Sequence, residues 1–451
     1  MIRGLFLLCT LFILSACQQK VEVVPPPIPQ GVADLNLYEQ RVSAYVSVNG
    51  EERLMSPSAQ RERDQRFDHN FFAPWHQQRP SRSAAEAFWG IKHYGEKEGF
   101  AENLLPFPEK EWQRLIALQQ VGSYPSMTRP AITVRNTSLR LFPTGSPFFL
   151  SFDLPGEGFP FDYFQTSAIA VGNPLLATHS SSDGAWTFVE SNFAFGWVPT
   201  DAIAWVDKKF QQRYENGAYA AILQDDTSLR SSMGSFLAQA DLGALFPVNK
   251  MGRETFLLYI PVRSADGNAE LRVAEIRGTE AALKPTPLTP AAIARLADPL
   301  IGQKYGWGGL YDNRDCSSTM RDLFVPFGIW LGRNSQKQGL SGGEFIDLRE
   351  LPQADKEKKI REQAIPFATL IWLKGHIGLY LGTSPQSGEP LLLHNFWGIH
   401  IYDQGQKEGR EVVGRLAITS LRPGEERPDV HKGEFFQKIQ GMAIFTLPPE
   451  K

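Results

Sequence analysis

Cysteine is scarce in this chain. There are three among 451 residues, at positions 9, 17 and 316. Cysteines so few and so far apart exclude a disulfide framework and a cysteine-rich zinc module, both of which need pairs at short spacing. Histidine is sparse too, with eight in all. Neither sign of charge dominates: 46 Lys and Arg against 49 Asp and Glu leave a formal net charge of -3, which argues against a general nucleic-acid binder. Long apolar runs are also missing. Beyond the first residues no stretch approaches the ~20 that a membrane-spanning helix needs. What is plentiful is Gly (39) and Pro (32), which points to many turns and short strands rather than long helices. At 42% hydrophobic the chain can bury several cores, and its length fits three or four domains.

The amino terminus reads as an export signal. Arg3 supplies the positive start, residues 5–14 the apolar core, and Leu14-Ser15-Ala16-Cys17 closes it. That closing motif resembles the bacterial lipobox, which implies that Cys17 becomes a lipidated mature terminus, and residues 1–17 the signal and lipobox. Gln18 in the following position implies, by the same resemblance, the outer membrane, hence a periplasmic, lipid-anchored protein. Residues 18–32 form a proline-rich tether. With Cys9 lost and Cys17 lipidated, Cys316 is expected to be the one free thiol in an oxidising compartment, which marks it as reactive.

Residues 33–125 read as a helical packing domain with Trp75, Phe88, Trp89, Tyr94 and Trp112; Ser81 or Ser83 is expected to cap a helix that closes near Gly95, and nothing in the segment demands chemistry. From about residue 126 the texture becomes short strands and turns. Residues 126–207 and 208–280 each resemble a bacterial SH3-like barrel, and S-L-R recurs near the start of both (Ser138 to Arg140, Ser228 to Arg230). One larger all-β domain is the alternative. Lys284-Pro285-Thr286-Pro287 marks a linker, after which Thr289 and Pro290 fit a helix N-cap and first position. A last domain covers residues 285–451.

In that last domain the glycine-rich Y-G-W-G-G-L-Y-D-N-R-D-C-S-S-T-M-R-D-L-F opens onto a run with Met320, Leu323 and Phe324 at helical spacing. Cys316 is thus expected in a helix's first turn, where the dipole and free N–H groups favour a thiolate. A cysteine nucleophile needs a base and a group that orients the base. His376 begins the second strand of a hairpin turned by Lys374-Gly375, on the side shared with Gly378 and Tyr380; Gly378 leaves room for a substrate or a helix. His394 ends a third strand and could meet the His376 ring. His400 and His431 read as surface residues. The His376, His394 and His400 separations match no common metal motif, so no metal site and no cofactor is expected.

The order Y-G-W-G-G…D-C-S-S…R-N-S-Q-K-Q…G-H-I-G-L-Y-L-G…L-L-H-N resembles the NlpC-type superfamily of bacterial cell-wall cysteine peptidases. The resemblance is nearest to its branch with amino-terminal SH3-like domains, which cuts between γ-D-glutamate and a diamino acid. It implies an α+β chain: a papain-like cysteine peptidase domain at the C-terminus, preceded by two small SH3-like β-barrels and a mainly helical N-terminal domain. It further implies Cys316 as nucleophile, His376 as general base and acid, and His394 as orienter. Tyr305 would stand near the thiolate and oxyanion, and Trp307, Asp315, Ser317 and Ser335 would line the substrate pocket. Asp315 would hold the free α-amine of an L-Ala, and Asp162 and Tyr163 would reach the pocket from the first barrel. Asp315 and Ser317 have a second reading as helix caps, and Trp307 as loop packing. The implied partners are peptidoglycan stem peptides or muropeptides, and a membrane through the lipid. Thr319 and Met320 depart from the small residues of many relatives, and Arg314 is a further oddity that could tune substrate charge preference. Two alternatives remain open from the sequence: a non-catalytic peptidoglycan-binding lipoprotein, and a peptidase or acyltransferase acting on a different wall bond.

Overall fold

The computed structural model describes residues 31–95 and 97–445. Cys17, its lipobox and the tether up to residue 30 lie outside the described residues. Among the described residues no helix is long and apolar enough to cross a membrane.

The N-terminal segment does not build a core of its own. Its long helix, Pro57–His76, is capped by Ser56 with Pro57 at the first position, and buries Phe67, Phe71, Phe72 and Trp75. Those rings pack against Phe210, Tyr214 and Tyr219 of the second barrel. Tyr94 and Trp112 pack instead with Phe142, Phe148 and Phe164 of the first barrel. Further upstream, Val42 and Met55 enter the core of the last domain, and the Asp34 carboxylate accepts the Ser420 N–H at 2.6 Å. The segment is a brace laid across all three following units. Ser83 caps as expected, in a reciprocal box with Glu86, but the helix breaks at Phe88 before running on to Tyr94, and Ser81 donates to Glu190 instead.

The first barrel is a seven-stranded antiparallel sheet from Arg129–Thr133 to Ile203–Trp205. The second has five strands and a separate pair. The recurring S-L-R falls on equivalent hairpin strands, Thr137–Arg140 pairing with Gln165–Ile169 and Thr227–Arg230 with Phe236–Ala240.

In the last domain the helix Cys316–Phe324 buries Met320, Leu323 and Phe324 against a six-stranded sheet. Each such fully buried side chain contributes roughly 1.5–3 kcal/mol. Sheet alternation sorts the residues as the period of two requires: Ile377, Leu379 and Leu381 face the cysteine helix, and Tyr380 the opposite core. Thr289 and Pro290 do open a helix, Pro290–Ala297.

Two glycines bring the first barrel onto the peptidase loop. Gly308 and Gly309 have φ of +61° and +86°, and a Cβ on Gly308 would stand 2.7 Å from the Gln165 carbonyl oxygen. Gln165 Nε2 donates back to the Gly308 carbonyl at 3.0 Å.

Candidate active site

The thiol is set by its helix. Asp315 is the N-cap: its Oδ1 accepts the Ser318 N–H at 2.8 Å, while the Asp315 N–H donates to Ser318 Oγ at 2.9 Å. Cys316 follows at the first helical position and is 8% exposed. Burial, then the neighbouring Asp315 charge, push the thiol up to about 12, against the pull of the Ile377 and Ser317 backbone N–H groups. The expectation of a resting thiolate is therefore corrected: desolvation outweighs the helix dipole, and the sulfur rests protonated.

The base is fixed through a line of hydrogen bonds whose direction can be read from one end. Thr419 Oγ1 donates to the Ser420 carbonyl at 2.7 Å, so it can only accept from His394 Nε2, 2.9 Å away. His394 then carries its proton on Nε2, and its Nδ1 accepts from His376 Nε2 at 2.8 Å. His376 Nδ1 is left as a lone pair. Burial lowers the His376 pKa to about 4, opposed by Asp315, and pushes His394 well below its ordinary value. Both rings rest neutral. Phe396 stacks on His394 with centroids 4.1 Å apart and Phe435 packs against both rings, which holds the pair on one side of the sheet. Gly378 makes room for the neighbouring strand rather than for a substrate or helix: a Cβ there would stand 2.7 Å from Leu392 Cγ, 2.8 Å from the Leu393 carbonyl oxygen and 2.9 Å from His394 Cβ.

Cys316 stands where two clefts meet. Tyr305, Trp307, Cys316 and Gly375 line both. The larger, about 580 Å³, also holds Asp315, Ser317, Arg333 and Ser335, and the smaller, about 210 Å³, holds His376. Burial keeps the Tyr305 phenol protonated, with the Asp315 charge adding to the effect. Ser335 opens the helix Ser335–Ser341, capped by Asn334.

Other expectations are changed. Asp315 does not present a free carboxylate: Arg333 Nη2 donates to its Oδ2 at 2.6 Å, and Oδ1 takes donors from Ser317, Ser318 and Arg333. Arg333 holds the carboxyl down to about 2, although burial raises it. Asp162 does not reach the cleft. It is 1% exposed, paired with Arg140 at 2.6 Å, and accepts the Phe148 and Phe164 N–H groups. Tyr163 packs behind Trp307 with its hydroxyl on Glu157. The first barrel meets the site through Phe161, whose ring lies 5.2 Å from Trp307 and 5.8 Å from Trp397. Arg314 turns away from substrate, binding both Asp225 oxygens at 2.7–2.8 Å and Asp322 at 2.9 Å. Thr319 donates to the Asp315 carbonyl at 2.7 Å. His400, read as a surface residue, is 28% exposed and lines the smaller cleft; His431 stacks on Tyr402. The brace also has a part in the site, since Gln77, Arg82 and Trp89 wall the larger cleft.

Thr419, Arg333, Phe161 and Trp397 were not found by sequence reasoning. Arg333 gave a signal, since it follows the apolar G-I-W-L-G and opens the R-N-S-Q-K-Q motif, but no role was read from it.

A buried thiol at a helix start, with a neutral imidazole oriented by a second imidazole on an adjacent strand, is the architecture of a cysteine peptidase. Four family descriptions match in order: NLPC_P60 stabilising domain, N term, over residues 6–124; SH3 domain (SH3b1 type) over 147–199; SH3 domain of SH3b2 type over 207–252; and NlpC/P60 family over 302–403. The chain belongs to the NlpC/P60 family, a family of cysteine peptidases, in an arrangement with a stabilising domain and two SH3 domains that supports a cell-wall endopeptidase. Among solved structures, an NlpC/P60 endopeptidase from Photobacterium damselae subsp. piscicida has the same fold, with a TM-score of 0.80 and 24% identity over 94% of this chain and 99% of that one. An NlpC/P60 family protein from Bacillus cereus ATCC 10987 aligns with a TM-score of 0.47 and 14% identity over 70% of this chain and 100% of that one. Comparison with curated protein sequences gives no match.

Proposed function

We propose that this cysteine endopeptidase hydrolyses the γ-D-glutamyl–diamino-acid bond of peptidoglycan stem peptides. The observation that carries the reading is the directed line from Ser420 through Thr419 and His394 to His376, which leaves one basic nitrogen on His376, a residue that lines the smaller cleft together with Cys316. His376 Nδ1 takes the thiol proton as the sulfur attacks the γ-glutamyl carbonyl. The developing oxyanion is held by the Cys316 N–H at the helix start and by the protonated Tyr305 hydroxyl. His376 then gives the proton to the leaving diamino-acid amine, and water, deprotonated by the same nitrogen, hydrolyses the thioester.

His376 lines the smaller cleft, so the leaving amine departs there and the acyl part, L-Ala-γ-D-Glu, occupies the larger one. A free L-Ala amine is the preferred terminus in this reading. It would join Asp315 at Oδ2, which has a lone pair beyond the Arg333 bond. Because Arg333 already neutralises that carboxylate, the preference over an N-acylated stem is about tenfold rather than absolute.

The protein works from the periplasmic face of the outer membrane, held by lipid on Cys17. A Cys17→Ala chain should leave the membrane fraction; its retention there would remove the anchor from the account. The bond itself is tested by digesting diaminopimelate-type muropeptides and weighing the products. Fragments ending in γ-D-glutamate support the reading, and cuts at any other bond count against it.

A further inference from the structure

The smaller cleft continues past His376 into a group of opposite charges. Lys438 Nζ lies 3.3 Å from Glu434 Oε1 and 3.1 Å from His400 Nε2. His400 Nδ1 lies 3.0 Å from Glu434 Oε1 and 3.2 Å from Glu408 Oε1. Burial and the nearby Lys438 lower the His400 pKa, so the ring is neutral, with its proton on Nδ1 and its Nε2 accepting from Lys438. The four side chains are between 23% and 43% exposed, so the group faces open space.

The group has bonding capacity left over. The Lys438 ammonium has three donors, of which two go to Glu434 and His400. Glu434 Oε1 takes both of its neighbours, but Oε2 accepts from the Tyr402 hydroxyl alone, at 3.1 Å. One cationic donor and one anionic acceptor therefore stand side by side, in the cleft that receives the leaving amine, with Lys374 exposed at its rim. Paired charges of this kind fit a ligand that carries both signs on one carbon.

We propose that this end of the cleft is a receptor for the distal ammonium–carboxylate of a diaminopimelate leaving group, with Lys438 and Glu434 as its specificity residues. The inference rests on the γ-bond reading above and deepens it: Lys438 takes the distal carboxylate, Glu434 the distal ammonium. A lysine-type stem carries the ammonium and lacks the carboxylate, so it satisfies Glu434 and leaves Lys438 without its ligand. One charge-assisted hydrogen bond at a half-open site corresponds to a preference of about 10- to 100-fold in kcat/KM for the diaminopimelate peptide.

The experiment compares kcat/KM for L-Ala-γ-D-Glu-meso-diaminopimelate, the same peptide amidated on its distal carboxyl, and L-Ala-γ-D-Glu-L-Lys. Wild type should favour the first over both others by at least about tenfold. Lys438→Met should bring the diaminopimelate-to-lysine ratio near one, whatever happens to absolute rates, and Glu434→Gln should lower the rates on both peptides. Thermal melts check that the variants are folded; if one is not, the amidated peptide on wild type reads the same contact. A wild-type ratio near one, or a ratio unmoved in folded Lys438→Met, overturns the proposal. Cleavage of none of the three peptides would instead remove the γ-bond reading on which it rests.

Discussion

Thr419 decides which nitrogen of His394 carries the proton. Its hydroxyl hydrogen is committed to the Ser420 carbonyl, so its oxygen, 2.9 Å from His394 Nε2, can only accept. Through the 2.8 Å contact to His376 that choice leaves Nδ1 as the acceptor nitrogen of the base. Thr419 touches neither substrate nor sulfur. It is a positioning residue.

Replacing it therefore separates kcat from KM. Thr419→Val keeps the shape and removes the acceptor, freeing His394 to flip tautomer; kcat should fall about 10- to 100-fold, the range for partners that orient a functional histidine, with KM little changed. Thr419→Ser should restore most of the rate. An unchanged kcat in Thr419→Val would show that the tautomer is set elsewhere.

The pH behaviour follows from two neutral groups. With His376 at about 4 and Cys316 at about 12, kcat/KM should hold down to about pH 5 and halve near pH 4. Alkylation of Cys316 by iodoacetamide should be slow at pH 7 and climb steadily on the alkaline side. A thiolate–imidazolium pair would instead alkylate fast and at constant rate across neutral pH. Stability carries the same signature. His376 is depressed from 6.5, so between about pH 6.5 and 4 the unfolded chain binds the proton and the folded chain does not, and roughly 3 kcal/mol is lost as pH falls through that window. Asp315, depressed from 3.8 to about 2, adds a further loss as pH falls below 3.8.

Phe161 and Asp162 are neighbours with opposite tasks. Phe161→Ala removes a ring that closes the site beside Trp307 and Trp397, and should raise KM about tenfold with a small change in melting temperature. Asp162→Asn leaves the buried Arg140 unpaired and should cost about 3–5 kcal/mol of stability, with the folded fraction keeping its KM. A selective KM effect in Asp162→Asn would restore that carboxylate to the pocket.

Arg314 ties the second barrel to the loop that carries Cys316. Arg314→Met takes the cation from Asp225, which keeps only Gln303 and the Leu242 N–H, while Asp322 retains Arg321, and should cost about 3 kcal/mol in thermal unfolding. The relative rates on peptides of different charge should not move. A changed charge preference without destabilisation would return Arg314 to a role in substrate selection.

The parts of the site legible in the sequence were those written in local pattern. Cys316 stood at a loop-to-helix junction, His376 followed a Lys-Gly turn, and Asp315 sat at cap spacing from Ser318. What escaped was set by contacts distant in sequence. Thr419 lies in an ordinary strand, and nothing local says that its neighbour is His394. Phe161 sits in the long excursion between two barrel strands, where a resemblance selects the adjacent polar Asp162; the fold buries that carboxylate against Arg140 and turns the ring outward. The N-terminal segment read as a helical packing domain and matches a stabilising domain; what local pattern did not show is that its aromatics are divided among the cores of the units that follow.

The most direct test of the account is the rate of diaminopimelate release from L-Ala-γ-D-Glu-meso-diaminopimelate by residues 18–451, beside Cys316→Ala and His376→Ala. The account predicts release of diaminopimelate and L-Ala-γ-D-Glu by the wild-type sequence and none above background by either variant. Release that survives Cys316→Ala, or an intact peptide after prolonged incubation with the wild-type sequence, would contradict it.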